Sequence, residues 1–484
     1  MCKNIILIDS KLEWIETILK LENINISLLI TPKFKEAQEK FGCKIAKIFP
    51  RELKNTEFNT FYFSEYNINY DEIEKYRSTQ LKVEHYLNRN LSDDGLRQYF
   101  YFRALSYWLD YFSKNKIDMV FLNTVEHGFH NDSPVIDIAK NLNIPVYIVS
   151  YSTGVTINEK DIEIKTLIKY NSNSFVNLLA IKNFSGEENE VNIENYLKLL
   201  AKAHHKNKNL KLTFKNPIKY FINTRLKTFL AFIAKFFYTP KQEYNKESKK
   251  NNYLHMTKYE IFKNSIYINR MRNLYNKISN KVDLREKYIY YPLHLEPEAS
   301  IMVRGTMTSQ LFSLKLIDDV LERIGKGEYK IFVKEHPHQF FIYEKDLFYL
   351  KNIHHYRSNF FYAQIKSMKN VVLVDINTPS TDLLKNSQAV VSISGSSLIE
   401  AVAYKKPLIT FGNSLSFVEL LKDAFVVKSR KDLELALDKI INDFTPKYDD
   451  LNQIIKNYTF FKKTSIDENR DFYSKLLSLL VNKE

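Results

Sequence analysis

Residues 387–412 read S-Q-A-V-V-S-I-S-G-S-S-L-I-E-A-V-A-Y-K-K-P-L-I-T-F-G. The pattern predicts a buried strand over 389–393, a tight turn at Gly395, a helix that begins at Ser396, and a second buried strand over 407–411. The free main-chain N–H groups and the positive end of the helix dipole make such a helix start an anion site. In a doubly wound sheet this position lies at the carboxyl edge of the strands, where nucleotides bind.

The same stretch also contains a pattern that needs no ligand. Ser397 and Glu400 have the S-x-x-E spacing of a capping box, in which the hydroxyl and the carboxylate bond the first main-chain N–H groups of the helix. A cap and a bound phosphate are compatible at one helix end. We therefore expect both the capping box and a phosphate site here.

Length and composition restrict the class of protein. The chain has 484 residues, which suggests two or three domains. Two cysteines, Cys2 and Cys43, are too few for a zinc cluster and favour a reducing compartment. Residues 3–9 read as a first strand rather than a signal peptide, and no apolar run reaches the roughly 20 residues that span a bilayer. We expect a cytoplasmic protein.

The net charge of +15 is concentrated in the middle of the chain, where residues 202–250 hold twelve Lys and one Arg against two Glu. Within this segment, 218–237 has the pattern of an amphipathic helix with Lys219, Lys227 and Lys235 on or beside its polar side. Such a helix suits the anionic inner face of a membrane. The alternative is a helix packed on the protein with solvated lysines. Nucleic acid is not expected as a partner, since no nucleic-acid fold signature accompanies the charge.

Strands and helices alternate in two series, which indicates two α/β domains with parallel sheets. The first series comprises strands at 5–8, 26–30, 119–122 and 146–149, helices at 11–21 and 135–142, and one long helical pattern over 85–115. The second comprises strands at 288–291, 330–333, 371–374, 389–393 and 407–411, with helices between them and a C-terminal helix over 466–481.

We predict a Rossmann-like domain over 1–200, a basic helical segment over 201–285, a second Rossmann-like domain over 286–465, and a C-terminal helix over 466–484. Two Rossmann-type domains that face a cleft form the architecture called GT-B, and ligands bind in such clefts.

Two further polar loops directly follow strands of the second series. Residues 334–338 read K-E-H-P-H, and residues 292–300 read P-L-H-L-E-P-E-A-S. Each could be an ordinary surface turn. Because the carboxyl ends of parallel strands share one edge, however, both loops should meet the helix start at Ser396. We therefore assign His294, Glu298, Lys334 and His336 to one anion or nucleotide site.

These three motifs together resemble those of bacterial capsule and surface polysaccharide biosynthesis proteins, a family that includes the capsule Kdo transferases. The resemblance implies a GT-B glycosyltransferase whose C-terminal domain binds the nucleotide donor and whose N-terminal domain binds the acceptor. It also implies that His336 contacts the donor phosphate, that Ser396 and Ser397 line the phosphate site, and that Glu400 reaches the ribose of the nucleotide.

The resemblance extends to the loop after the strand at 119–122. Residues 118–128, D-M-V-F-L-N-T-V-E-H-G, are similar to the T-P-H-E-G-type loop of the family, with Val125 in place of Pro and Glu–His in place of His–Glu. Sugar transfer needs a base, and Glu126, His127 and His130 are the candidates. The alternative is a polar loop without a catalytic role. No D-x-D motif occurs, so we expect no metal and no cofactor besides the substrate.

The sequence thus predicts a metal-independent transferase that moves a sugar from a nucleotide sugar, CMP- or UDP-linked, to a growing capsular or surface glycan. One alternative is a transferase of a phosphoryl or polyol-phosphate group from a cytidine nucleotide in the same pathway. The other is a non-catalytic, membrane-peripheral protein of capsule assembly.

Overall fold

The computed structural model describes residues 2–9, 12–51, 61–62, 64–88, 91–122, 132–151, 164–170, 176–180, 258–296, 309–324, 327–336, 339–340, 356–393, 395–411, 416–461 and 466–483. Several predictions from the sequence fall outside these residues. They concern the basic helix at 218–237, Glu298, and the candidate bases Glu126, His127 and His130.

Fourteen strands are found in the described residues. They are β1 (Lys3–Ile8), β2 (Ile24–Thr31), β3 (Ile48–Pro50), β4 (Met119–Leu122), β5 (Val146–Tyr151), β6 (Ile164–Tyr170), β7 (Val176–Leu179), β8 (Tyr288–Pro292), β9 (Lys330–Lys334), β10 (Val371–Leu373), β11 (Ala389–Ser392), β12 (Leu408–Thr410), β13 (Ala424–Val426) and β14 (Thr459–Phe461).

The helices of the same residues lie between and after these strands. They are α1 (Leu12–Ile18), α2 (Phe34–Phe41), α3 (Tyr70–Lys75), α4 (Arg77–Leu87), α5 (Asp94–Lys114), α6 (Asp132–Asn141), α7 (Lys258–Ile278), α8 (Gln310–Ile324), α9 (Asn359–Ser367), α10 (Ser380–Asn386), α11 (Ser396–Ala403), α12 (Arg430–Ile441), α13 (Leu451–Tyr458) and α14 (Ile466–Lys483), with a 3₁₀ turn at Phe417–Leu420.

The strands form two sheets. The first has the order β14-β6-β5-β4-β1-β2-β3, with β7 paired to β6, and its strands β1 to β5 are parallel. The second has the order β10-β9-β8-β11-β12-β13 and is parallel throughout. The predicted architecture of two α/β domains with parallel sheets is therefore confirmed.

The central strands are buried on both faces because helices cover both sides of each sheet. All four residues of β4 are buried, and Ile5 to Ile8 of β1 are 0% exposed. A strand of this kind appears in the sequence as a continuous apolar run rather than an alternating one. This is why the strands at the centre of both sheets could be located from sequence.

The edges of the first sheet differ from the expectation of a purely parallel sheet. Strands β6, β7 and β14 are antiparallel, and none of them was predicted. Strand β6 reads I-K-T-L-I-K-Y, and its lysines interrupt the apolar run that marked the central strands. The predicted single helix over 85–115 is also wrong. It is two helices, because the Asp93 side chain accepts a hydrogen bond from the main-chain N–H of Leu96 at 2.9 Å and starts α5 anew.

The end of the chain returns to the first domain. Strand β14 pairs with β6, and α14 packs on α1, where the rings of Trp14 and Tyr473 stack with centroids 3.7 Å apart. Helix α7, from the predicted middle segment, packs into the core of the second domain through Met271 and Tyr275. The Tyr275 hydroxyl donates to the main-chain carbonyl of Val374 at 2.6 Å.

Each sheet has one point where the strand order reverses. In the first sheet the chain runs outward from β1 through β2 to β3, and later starts again at β4 on the other side of β1. In the second sheet it runs from β8 to β10 and starts again at β11 beside β8. Ligands of open α/β sheets bind outside the carboxyl ends of the strands at such switch points. The gaps above β1/β4 and β8/β11 are therefore the candidate sites.

Candidate functional site

At the switch point of the second domain, residues at the ends of the two central strands contact each other. His294 follows β8, and its Nε2 lies 3.0 Å from the Oγ of Ser392, the last residue of β11. Three residues after Ser392, Gly395 adopts φ +98°, ψ −177°, and α11 begins. A Cβ at Gly395 would lie 3.2 Å from Cε1 of His294, so the turn passes closely over the imidazole ring.

The predicted capping box in α11 is wrong. Gly395 is the N-cap and has no side chain with which to cap the helix, and Ser397 is the second helical residue and so cannot be its N-cap. Ser396 is exposed, Ser397 is half-buried, and Glu400 is 7% exposed. The helix start thus presents serine hydroxyls and main-chain N–H groups at the edge. Such an arrangement suits an anion.

His294 is held by both its main chain and its ring. Its N–H donates to Oε1 of Gln310 at 2.7 Å, and its carbonyl accepts from Nη2 of Arg357 at 2.9 Å. Burial, together with the nearby charges of His336 and Arg357, lowers the pKa of His294 to about 3. The imidazole is therefore neutral near pH 7 and offers hydrogen bonds rather than a positive charge.

A buried ion cluster stabilises the K-E-H-P motif at residues 334–337. Nε and Nη2 of Arg357 donate to Glu335 at 2.7 and 3.2 Å, and the Tyr362 hydroxyl donates to the same carboxylate at 2.7 Å. Arg357 also pairs with Glu296 in the loop after β8. Arg357 and Glu335 are 2% and 1% exposed. The cluster ties the loops after β8 and β9 to each other.

Sequence reasoning missed this cluster. Glu335 was passed over for its neighbours Lys334 and His336, and Arg357 has no local motif that marks it. A signal did exist, because a glutamate directly after a buried strand must find a partner if it stays inside the protein. The sequence could not name that partner, which lies 22 residues away.

The two basic residues of the K-E-H-P motif, Lys334 and His336, have different environments. Lys334 is 4% exposed, and its Nζ donates to Oγ of Ser380 at 2.8 Å at the start of α10. Burial lowers the pKa of Lys334 to about 8, while the Asp375 carboxylate acts to raise it. His336 is half-buried, and its main-chain N–H donates to Oε1 of Glu335 at 2.9 Å. Thus Lys334 is bonded beneath the loop, whereas His336 lies close enough to affect the titration of His294.

The first domain carries a second ion cluster, at its own switch point. Asp9 follows β1, Arg51 follows β3, and Asp132 begins α6 after the loop from β4. Nη1 of Arg51 donates to Asp9 at 2.7 Å, while its Nε and Nη2 donate to Asp132 at 2.9 and 2.6 Å. Burial raises the pKa of Asp9, although the Arg51 charge acts to lower it. Sequence analysis assigned no role to any of these three residues.

Helix α4 connects the two candidate sites. His85 of α4 lies with its ring centroid 6.4 Å from that of Tyr356 in the second domain. Burial lowers the pKa of His85, and the nearby Glu296 charge acts in the opposite direction. The neighbouring Tyr86 lies close enough to Arg51 to affect the pKa of that guanidinium. Helix α4 therefore lies between the two ion clusters.

The described part of the chain contains no group of three or more His, Cys, Asp or Glu side chains that could hold a metal ion. Among the helices of that part, none is long and apolar enough to cross a membrane. The prediction of metal independence remains a prediction.

Residues 192–420 match the family model of capsule polysaccharide biosynthesis proteins, which confirms the resemblance read from the three motifs. The matched region contains the basic middle segment and the second-domain site. Strands β1 to β7 of the first domain precede it and are not matched. No protein of curated function matches the chain.

Solved structures give only distant likenesses. UDP-GlcNAc 2-epimerase from Methanocaldococcus jannaschii, in complex with UDP-GlcNAc and UDP, is 13% identical, with 99% of both chains covered and a TM-score of 0.26. ADP-heptose LPS heptosyltransferase II from E. coli is 9% identical, with 91% of this chain and 98% of that chain covered and a TM-score of 0.23. A structure described as trehalose-6-phosphate from E. coli bound with UDP-2-fluoro glucose is 10% identical, with 98% and 99% covered and a TM-score of 0.30. Likenesses of this size carry no argument about substrate or reaction.

The family match thus relates the second-domain site to proteins of capsule polysaccharide biosynthesis.

Proposed function

We propose that this protein transfers a sugar from a nucleotide-sugar donor to a growing capsular or surface polysaccharide. The observation that carries the proposal is the helix start at the β8/β11 switch point. There, Gly395 brings the main chain over His294, and Ser396 and Ser397 stand at the open end of α11. Such a site is suited to the phosphates of a nucleotide.

In this proposal the donor phosphates bind between the N-terminus of α11 and His336. The helix dipole and the main-chain N–H groups supply the positive potential that stabilises the leaving nucleotide, without a metal or cofactor. His294, neutral and half-buried, is proposed to fix the turn at Gly395 instead of contributing charge. Glu400, one turn into α11, is proposed to bind the ribose, and Glu298 and Lys334 are proposed to complete the donor site.

The acceptor is proposed to bind at the facing edge of the first domain. Its hydroxyl oxygen forms the new bond to the anomeric carbon, the bond from that carbon to the donor phosphate breaks, and the nucleotide leaves with the electron pair. The hydroxyl proton passes to a base, for which Glu126, His127 and His130 are our candidates. CMP and UDP are the nucleotides we favour, and the reaction is proposed to take place at the cytoplasmic side of an anionic inner membrane.

Two other functions are compatible with some of the same features of the protein. A cytidine-nucleotide transferase of phosphoryl or polyol-phosphate groups would use the same helix start. A non-catalytic assembly protein would need only the basic middle segment. Turnover of a nucleotide separates the enzymes from the assembly protein, and the mass of the product separates a glycosyl transfer from a phosphoryl transfer.

A thermal-shift panel of CMP, CDP, UDP and GDP tests the nucleotide site. A ligand present at 100 times its dissociation constant stabilises the folded protein by about 2.7 kcal/mol, which raises the melting temperature measurably. The matched pair of variants is Glu400→Gln and Glu322→Gln, the latter on α8 and paired with Lys369 at the surface. We expect nucleotide affinity to fall only in Glu400→Gln. No shift with any nucleotide would contradict a donor site.

The base is tested by turnover rather than by binding. We expect one of Glu126→Gln, His127→Ala and His130→Ala to lower turnover by about 10²–10⁴-fold with donor affinity nearly unchanged. Near-normal turnover in all three would place the base elsewhere. Parallel loss of turnover and nucleotide binding in one of them would make that residue a binding or structural group.

A further inference from the structure

The cluster of Asp9, Arg51 and Asp132 contains two carboxylates and one guanidinium, so one carboxylate is in excess of the positive charge. Asp132 is fully buried, and a single oxygen, Oδ2, accepts hydrogen bonds from both Nε and Nη2 of Arg51. Asp9 receives one hydrogen bond, at its Oδ2, and its side chain is 23% exposed. Asp132 alone can therefore hold Arg51 in place and balance its charge.

The second oxygen of Asp9 is available to a ligand. Within the described residues, Arg51 is the only partner of the Asp9 carboxylate, and it occupies Oδ2. The main chain of Asp9 is fixed, because its N–H donates to the carbonyl of Ile30 at 2.8 Å. A rigid, partly exposed carboxylate with a free acceptor oxygen can bind a hydroxyl group by a charge-assisted hydrogen bond.

The position of Asp9 matches that role. It directly follows β1, whose neighbour β4 marks the switch point of the first sheet. Tyr86 of α4 lies near Arg51, and the preceding residue, His85, lies near Tyr356 and Glu296 beside the proposed donor site. Asp9 thus lies on the side of the first domain that faces the second-domain site.

We propose that Asp9 binds the acceptor sugar, with its Oδ1 accepting a hydrogen bond from an acceptor hydroxyl while Arg51 holds Oδ2. Arg51 and Asp132 act as positioning residues that fix the carboxylate. This inference rests on the proposed function and adds to it the residue of the first domain that recognises the acceptor. A carboxylate at this place selects a neutral, hydroxyl-bearing sugar unit and disfavours an acidic group at the same point, since like charges repel.

The test compares three aspartate variants. Asp9→Asn removes the charge and preserves the shape, and Arg51 keeps its two hydrogen bonds to Asp132. We expect the acceptor KM to rise about tenfold or more, with the donor KM unchanged and with the melting temperature close to that of the wild type. The control Asp118→Asn removes a carboxylate at the opposite edge of the same strands, where Asp118 accepts from the main-chain N–H of Asn4 at 2.8 Å. It should leave both KM values unchanged.

Asp132→Asn separates binding from support. Because Asp132 is fully buried against Arg51, this variant should lower the melting temperature, which Asp9→Asn should not. An unchanged acceptor KM in Asp9→Asn would overturn the proposal. So would an equal rise of the donor and acceptor KM, or a loss of melting temperature as large as in Asp132→Asn, because each would indicate a structural role.

Failure of the proposed function itself has a different signature. If the wild type transfers no sugar from any nucleotide sugar, oligosaccharides cleaved from the organism's own capsular polysaccharide can still be titrated calorimetrically. Weaker binding of these oligosaccharides by Asp9→Asn than by the wild type and Asp118→Asn would support the acceptor site without the reaction. Equal binding by all three proteins, or binding by none of them, would overturn it.

Discussion

At the scale of single residues, the main-chain conformation at Gly395 restricts which residue can occupy this position of the site. Its φ of +98° with an extended ψ is a conformation that only glycine adopts at low cost. Any Cβ there would also press on His294. The helix start at the β8/β11 switch point therefore depends on one missing side chain.

We expect Gly395→Ala to lower the free energy of unfolding by about 1–3 kcal/mol and to weaken nucleotide binding. Gly327→Ala is the matched control, because Gly327 also has a positive φ, +76°, but has no atom within 4 Å of the added Cβ. Denaturant unfolding measures the first effect, and nucleotide titration measures the second. Equal losses of stability, with nucleotide affinity intact in both variants, would mean that the contact with His294 has no consequence.

Lys334 makes stability depend on alkaline pH. Its pKa is about 8 in the folded protein, below the ordinary 10.5, so the unfolded chain binds more protons between these values. The free energy of unfolding should therefore rise with pH from about 8 to 10.5, by up to about 3 kcal/mol from this residue. Lys334→Met should lack that rise, whereas Lys330→Met at the start of the same strand should retain it. Parallel pH profiles for wild type and Lys334→Met would contradict this.

At the scale of elements, the loops after β8 and β9 are joined through Arg357. Arg357→Met would leave the buried Glu335 carboxylate without its cation, and such a loss costs about 3–5 kcal/mol. The surface control Arg285→Met removes an arginine with a 91% exposed side chain that pairs with Asp283, and we expect it to be nearly neutral. Chemical denaturation measures both effects.

A double variant shows whether the cost comes from the unpaired charge. With Glu335→Gln added, Arg357→Met should lose clearly less stability than the sum of the two single variants, because no buried charge is then left alone. Full additivity would mean that Arg357 stabilises the loops by packing, including its stacking 4.4 Å from the ring centroid of Phe361, rather than by charge.

At the scale of the whole molecule, the basic middle segment predicts contact with an anionic membrane surface. We expect binding to vesicles that contain anionic lipid, and we expect added salt to weaken it. Charge reversal at Lys227 and Lys235 should reduce binding, whereas reversal at Lys114 and Lys366, two exposed lysines of the folded domains, should not. Cosedimentation measures the effect. Equal binding to neutral and anionic vesicles, or binding to neither, would remove the hypothesis.

The sequence by itself determined the two-domain architecture and the strand ends where the site lies. It could do so because strands buried between helices leave continuous apolar runs, and because polar loops directly follow those runs. It placed His294, His336, Ser396 and Ser397 at one edge of the second sheet, where the structure also has them. Local spacing was insufficient at α11, where the helix starts at Gly395, before Ser397, and the expected cap is absent.

Only the tertiary structure decided which charges meet. Arg357 finds Glu335 and Glu296 at separations of 22 and 61 residues, and Arg51 finds Asp9 and Asp132 at separations of 42 and 81. Such pairs have no period along the chain, because each joins loops that become neighbours only when parallel strands align in a sheet. Burial then lowers the pKa of His294 and Lys334 and raises the pKa of Asp9. The burial of a side chain depends on the three-dimensional packing around it and not on its neighbours in sequence.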